Sequence, residues 1–268
     1  MPHIQAGTIR IYYEIAGSGQ RVLFINGTGA DLRFKPNAFD GPLGRQFEVL
    51  GYDQRGLGRS EKPDRIYTMQ EYADDAAALM DALGWERAHV MGVSFGGMVA
   101  QHLALRHPDK IDRLVLACTS AGGGGGASYP LHELGAMDVE TRARSMIALS
   151  DTRYDAAWQA SHGDAFAAMI AMQVANAAIG ADDPDRLMGA RRQLEARRGH
   201  DTFAQLAQLN ALVLLCAGRY DGIAPLSNMQ LMQQKISNAR LEIFEGGHLF
   251  LLQDKRAYAE IVQFLQQG

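Results

Sequence analysis

His89-Val90-Met91-Gly92-Val93-Ser94-Phe95-Gly96-Gly97 begins as a strand candidate and passes at once into a helix candidate, Gly96 to Arg106, stopped before Pro108. Gly92 to Gly96 spells G-x-S-x-G. A strand, a sharp turn and a helix in immediate succession can hold a serine hydroxyl in strained exposure, and Gly92, Gly96 and Gly97 supply the room. A serine hydroxyl is almost wholly protonated at neutral pH and is a poor nucleophile, so Ser94 needs a base. Its bland role, capping a helix start, weakens as partners are found.

On either side of this turn, short β-branched runs alternate with longer helical ones, which predicts an α/β fold with a mostly parallel sheet. Thr8–Ile15 reads as an alternating edge strand. Val22–Ile25, Phe47–Gly51, His89–Val93, Arg113–Ala117, Leu212–Cys216 and Arg240–Phe244 read as compact strands, for a sheet of about seven or eight. Helices are expected at Met69–Leu83, ending at Gly84, and at Gly96–Arg106, Asn228–Ile236 and Lys255–Gln266.

Residues 121–209 break the alternation. They are rich in Ala, Met and Arg, contain no lysine and offer no convincing strand, so they read as a helical cap inserted into a core made of 1–120 and 210–268. Five glycines, Gly122–Gly126, open the insertion and suit a flexible hinge. They do not read as a phosphate loop, because no helix-opening Lys-Ser/Thr follows.

A parallel sheet delivers functional side chains to the carboxyl ends of its strands, so the base for Ser94 should follow a late strand. His248 fits, after Leu241–Gly247, where two glycines let the loop turn the imidazole over the sheet edge. His3, His89, His102 and His107 read as surface or packing residues; His132, His162 and His200 lie in the insertion and read as solvated. The orienting carboxylate should leave the preceding strand. Leu214–Asp221 places Asp221 there, with Glu245 as runner-up, poorly placed three residues before His248. The chain order Ser94, Asp221, His248 is one of several known for such triads.

Charge developing on a carbonyl oxygen needs preorganised donors. The Phe95 N–H, directly after the serine, is one. The Thr28 N–H, in the Asn26-Gly27-Thr28-Gly29 loop after Val22–Ile25, is the other. That loop imitates a dinucleotide fingerprint, but Leu32 stands where the third glycine of G-x-G-x-x-G belongs. Asp53–Ser60 fails the same test and reads as a structural turn, with Arg55 or Arg59 pairing locally.

Composition bounds these readings. With 268 residues, 47% hydrophobic and 21% charged, the chain has the makings of an ordinary globular protein and not of a disordered tail. A net charge of -4 supplies no field toward nucleic acid or anionic lipid, so small molecules are the expected partners. No apolar run of about 18 residues and no basic, apolar leader is seen, which predicts a cytoplasmic protein with no membrane association. Cys118 and Cys216 each close an apolar run and read as buried free thiols; a disulfide between them is set aside because intracellular thiols stay reduced. No metal or organic cofactor is expected, since zinc-like His/Cys spacing is missing.

Taken together, the Asp53–Ser60 turn, the Gly92–Gly97 turn, Gly218–Asp221 and Gly246–His248 make the chain resemble the α/β-hydrolase family over essentially its whole length. The resemblance implies Ser94 as nucleophile, His248 as base, Asp221 as orienting acid, the Thr28 and Phe95 N–H groups as oxyanion hole, and a helical cap. Where the family commonly has His-Gly, this chain has Asn26-Gly27. Asn26, Gly29, Asp31 and Leu32 are similar to the corresponding loop of 3-oxoadipate enol-lactonases, which implies a small carboxylic ester or lactone as substrate. Serine at 94 speaks against the dehalogenase and epoxide hydrolase branches, which need a carboxylate nucleophile. Carbon–carbon hydrolysis of a vinylogous diketone, cofactor-free perhydrolysis and a weakly catalytic ligand receptor on the same fold are the alternatives. Among the arginines of the insertion, Arg142, Arg144 or Arg153 is the expected pocket cation for an acidic substrate. Arg191, Arg192, Arg197 and Arg198 are expected on solvated faces.

Overall fold

The computed structural model describes residues 2–267, so Met1 and Gly268 lie outside the described residues. Eight strands form one sheet: β1 (His3–Ala6), β2 (Ile9–Ala16), β3 (Arg21–Ile25), β4 (Glu48–Tyr52), β5 (Ala88–Val93), β6 (Ile111–Ala117), β7 (Leu212–Gly218) and β8 (Ala239–Phe244). Their order is β1-β2-β4-β3-β5-β6-β7-β8. β1 and β2 pair antiparallel, as do β2 and β4, while every pairing from β4 to β8 is parallel. The expected single edge strand is two strands, because Gly7 at φ 58° turns the chain between Ala6 and Ile9.

Both faces of this sheet are covered, which explains why its strands read as continuous apolar runs. Alternate residues serve opposite cores. Leu23, Val90, Leu114 and Leu215 join one, beneath α2 (Met69–Ala82), α3 (Phe95–Arg106) and α8 (Leu226–Lys235). Val22, Met91, Val115 and Leu214 join the other, beneath α1 (Pro42–Gln46) and α10 (Arg256–Gln266). Helix starts follow local chemistry: Thr68 accepts the Glu71 N–H at 3.2 Å while the Glu71 carboxylate accepts the Thr68 N–H at 3.0 Å, a reciprocal cap on α2. Two short helices, α1 and α9 (Phe250–Gln253), were absent from the sequence expectation; four or five residues are too few to show a helical period.

Between β6 and β7 no strand forms. The chain instead makes α4 (Val139–Ser150), α5 (Ala156–Ser161), α6 (Gly163–Ala178) and α7 (Arg186–Arg198), with 3₁₀ turns at Leu131–Ala136 and Phe203–Gln208. Ala143, Ile147, Phe166 and Ile170 give this segment a small core of its own. The Gly122–Gly126 run is not an open hinge. It packs as a tight turn, and side chains there would collide with His200, Asp201, Phe203 or Asn228. No helix among the described residues is long and apolar enough to cross a membrane.

Candidate active site

β5 runs into Ser94, whose backbone sits at φ 56°, ψ −116°, a left-handed conformation costly for a residue with a Cβ. The strain is held by close packing. A Cβ at Gly92 would strike the Gly96 carbonyl, and one at Gly96 the Ile25 carbonyl, so the turn admits only glycine at both places. The Ser94 N–H donates to the Ala117 carbonyl at 2.8 Å, and the Thr119 hydroxyl donates to the Ser94 carbonyl at 2.8 Å.

His248, in the loop after β8, lies with Nε2 2.9 Å from Ser94 Oγ and Nδ1 2.7 Å from Asp221 Oδ2. The His248 N–H donates to the Ser150 carbonyl, so α4 helps to set the loop. Asp221 is fixed in turn: its other oxygen, Oδ1, accepts the Ile223 and Ala224 N–H groups, each at 2.8 Å. With Nδ1 facing a carboxylate, the neutral imidazole carries its proton there and turns a lone pair toward Ser94. Cys118, Asp221 and His248 also present potential metal-ligating atoms within 4.8 Å of one another. Both His248 nitrogens are already engaged, however, and burial raises the Cys118 thiol well above its ordinary range, which keeps it protonated. The residues do not fit a metal centre.

The loop after β3 arches over Ser94; a Cβ on Gly27 would lie 3.4 Å from that of Ser94. Thr28 N–H has no acceptor among the described residues, and Phe95, as the first residue of α3, has no intrahelical acceptor for its own N–H. Two donors are therefore free beside the hydroxyl. The loop is braced by Gln54, whose amide donates to the Asn26 carbonyl at 2.8 Å, and by Gln193 of α7, whose Oε1 accepts the Gly29 N–H at 2.8 Å. Asp53–Ser60 is a buried turn beside it: Asp53 accepts from the Leu32 and Arg59 N–H groups, and buried Arg55 grips Asp75 through two bonds at 2.8 and 2.7 Å.

A cleft of about 410 Å³ opens above Ser94, with Leu131, Met146, Leu194 and Ile223 among its apolar walls. Of the three arginines singled out for it, Arg142 alone lines the cleft. Its guanidinium meets only the Met137 carbonyl, at 3.4 Å, and no carboxylate pairs with it among the described residues. Arg144 pairs with Glu140 on the surface, and Arg153 pairs with Asp151 and lies over Tyr220. Glu245 is exposed and bound to Arg219, away from His248.

Two expectations are corrected by packing. Arg197 and His200 are buried, not solvated, each with 7% of its surface exposed, because the end of α7 lies against Ser120 and Ser128. His102 is bound to His200 at 3.2 Å. Of the remaining histidines, His3 meets the Arg59 carbonyl, His107 pairs with Asp74, His162 stacks on Trp158, and His132 lines a second cavity. Gln193 was missed altogether: it is fully buried, lines the cleft, and belongs to no motif that a sequence could display. Cys118, directly after β6, and Cys216, in the neighbouring β7, are buried free thiols.

The alpha/beta hydrolase fold family matches residues 20–255. A poly(3-hydroxyalkanoate) depolymerase of Ectopseudomonas oleovorans is 32% identical over 92% of this chain and 84% of its own. A protein of Caulobacter sp. (strain K31), provisionally assigned as a carbamate hydrolase, is 30% identical over 98% of both chains. The crystal structure of an enol-lactonase from Burkholderia xenovorans LB400 superposes with a TM-score of 0.79 over the full length of both chains, at 22% identity, a likeness of fold.

Proposed function

The chain belongs to the α/β-hydrolase family, and we propose that it is a serine hydrolase cleaving a small carboxylic ester or lactone through an acyl-enzyme. The observation that carries this reading is His248 bridging Ser94 Oγ and Asp221 at hydrogen-bonding distance on both sides. Ser94 Oγ attacks the carbonyl carbon as its proton passes to His248 Nε2. Asp221 holds the imidazole in the required tautomer and stabilises the imidazolium. The oxyanion accepts the Thr28 and Phe95 N–H groups, in a cleft whose apolar walls strengthen those bonds. On collapse the C–O bond breaks and His248 protonates the leaving alkoxide. Water, deprotonated by His248, then attacks the acyl-enzyme and releases the acid and Ser94.

In this reading residues 121–209 act as the cap over a core of 1–120 and 210–268. Two buried thiols suit a reducing compartment, and the cytoplasm is the proposed location. Arg142, free of carboxylates at the cleft, favours a substrate that carries its own carboxylate. No cofactor enters any step.

The test is a fluorophosphonate probe together with one substrate panel of esters, lactones, carbamates and vinylogous diketones. The probe should label Ser94, and esters or lactones should turn over fastest. Labelling at another serine would move the site. Faster cleavage of a carbamate or a diketone would reassign the substrate, and stoichiometric hydrolysis with a large ligand-induced rise in stability would indicate a receptor.

A further inference from the structure

A second cavity, about 260 Å³, shares no lining residue with the cleft above Ser94. The same two segments line both: Leu131 and Leu134, with Gln193 and Leu194 of α7, line the cleft, and Pro130 and His132, with Arg197 and Arg198 of α7, the second cavity. The lining of that cavity holds two arginines and no carboxylate.

Its chemistry is incomplete. Arg197 is buried, yet among the described residues its guanidinium makes one hydrogen bond, from Nη2 to Ser128 Oγ at 2.7 Å, and its Nε donor finds no partner. Burial lowers the guanidinium to about 10, which leaves it charged at neutral pH. Ser120, 1% exposed in the same lining, also has a hydroxyl without a partner among the described residues. His200 cannot serve either group, because its nitrogens are engaged with the Ser120 carbonyl at 2.9 Å and with His102. A buried cation without a counter-ion and an unsatisfied hydroxyl in the same lining are each unfavourable, and one oxyanion would relieve both. The space exceeds what a single inorganic ion fills, being roughly nine times the volume of a water molecule in the liquid.

We propose that this cavity is a binding site for a small organic anion, separate from the Ser94 cleft, whose carboxylate or phosphate head is held by Arg197 and the Ser120 hydroxyl. His132 and Arg198 line the same space and would add charge or hydrogen bonds to the remainder of the ligand. An anion held there ties α7 to the segments that carry Ser120 and Ser128. Because Gln193 lies one helical turn from Arg197 on the same face, occupancy also steadies the brace on Gly29.

The test is thermal unfolding of the full chain with inorganic phosphate, with succinate and with neutral succinamide, at constant ionic strength. The expected result is a saturable rise in Tm with at least one of the two anions and none with succinamide. The rise should persist when Ser94 is blocked by fluorophosphonate. Ser94→Ala serves that arm if labelling fails, so failure of the hydrolase reading leaves the binding result standing. Arg197→Gln should weaken the apparent affinity at least tenfold and Ser120→Ala several-fold; if Arg197→Gln does not fold, Ser120→Ala and Arg198→Ala carry the test. No saturable rise with either anion, loss of the rise on blocking Ser94, or an unchanged affinity in these variants would overturn the proposal.

Discussion

Gln193 Oε1 accepts the Gly29 N–H at 2.8 Å across 164 residues of sequence, so a side chain of α7 holds the loop that carries Thr28. Gln193→Leu removes the acceptor and should lower kcat by about tenfold to a hundredfold, a fraction of what loss of an oxyanion donor costs. Gln193→Glu keeps an acceptor and should recover most of that loss. Steady-state kinetics on an activated ester separates the two variants, and equal effects would mean that the brace is not what matters.

Ser94→Ala should lower kcat by roughly 10⁴- to 10⁶-fold while leaving Tm within a few degrees of the native chain. Among the described residues the Ser94 hydroxyl hydrogen-bonds to His248 alone, so its loss should disturb little of the fold. Retained turnover would remove Ser94 from the mechanism.

Asp221→Asn should cost on the order of 10³ to 10⁴ in kcat, because the imidazole loses its charge partner and its tautomer. Glu245→Gln, which only frees Arg219 at the surface, should leave kcat unchanged. Reversed effects would make Glu245 the orienting acid.

Arg142 bears on substrate charge. kcat/KM for a carboxylate-bearing lactone should exceed that for a neutral ester of similar size and leaving group. Arg142→Ala should erase about 1.5 to 3 kcal/mol of this preference. Arg144→Ala, whose partner is Glu140 on the solvent side, should not. A preference that survives Arg142→Ala places charge recognition elsewhere.

His102 and His200 predict a loss of stability in acid. Burial lowers His102 to about 4 and His200 to about 3, from an ordinary value of 6.5. Between about pH 4 and 6.5 the unfolded chain therefore binds protons that the folded chain refuses, so stability is complete above 6.5 and falls as the pH drops below it. The slope is at most about 1.4 kcal/mol per pH unit for each histidine. Denaturant unfolding between pH 4.5 and 7.5 should show a shallower slope in His102→Gln/His200→Gln. An unchanged slope would assign the acid sensitivity to other groups.

The strands, the Ser94 turn and the positions of Asp221 and His248 were legible in the sequence because each is set by local chemistry. Alternating apolar residues fill two cores, Gly92 and Gly96 permit a turn that no other residue allows, and a parallel sheet carries the ends of β5, β7 and β8 to one edge. Other features were out of reach for the opposite reason. The α7 sequence Arg186–Arg198 has polar residues on every side, so no periodicity says which of them face inward. Only the docking of that helix and its end against the Thr28 loop, the Ser120 carbonyl and the Ser128 hydroxyl buried Gln193 and Arg197 while leaving Arg191 and Arg198 exposed. The chemistry of the Ser94 turn is written in a few consecutive residues. The walls of the cleft and the charge in the second cavity come from contacts between segments far apart in the chain, which tertiary packing alone brings together.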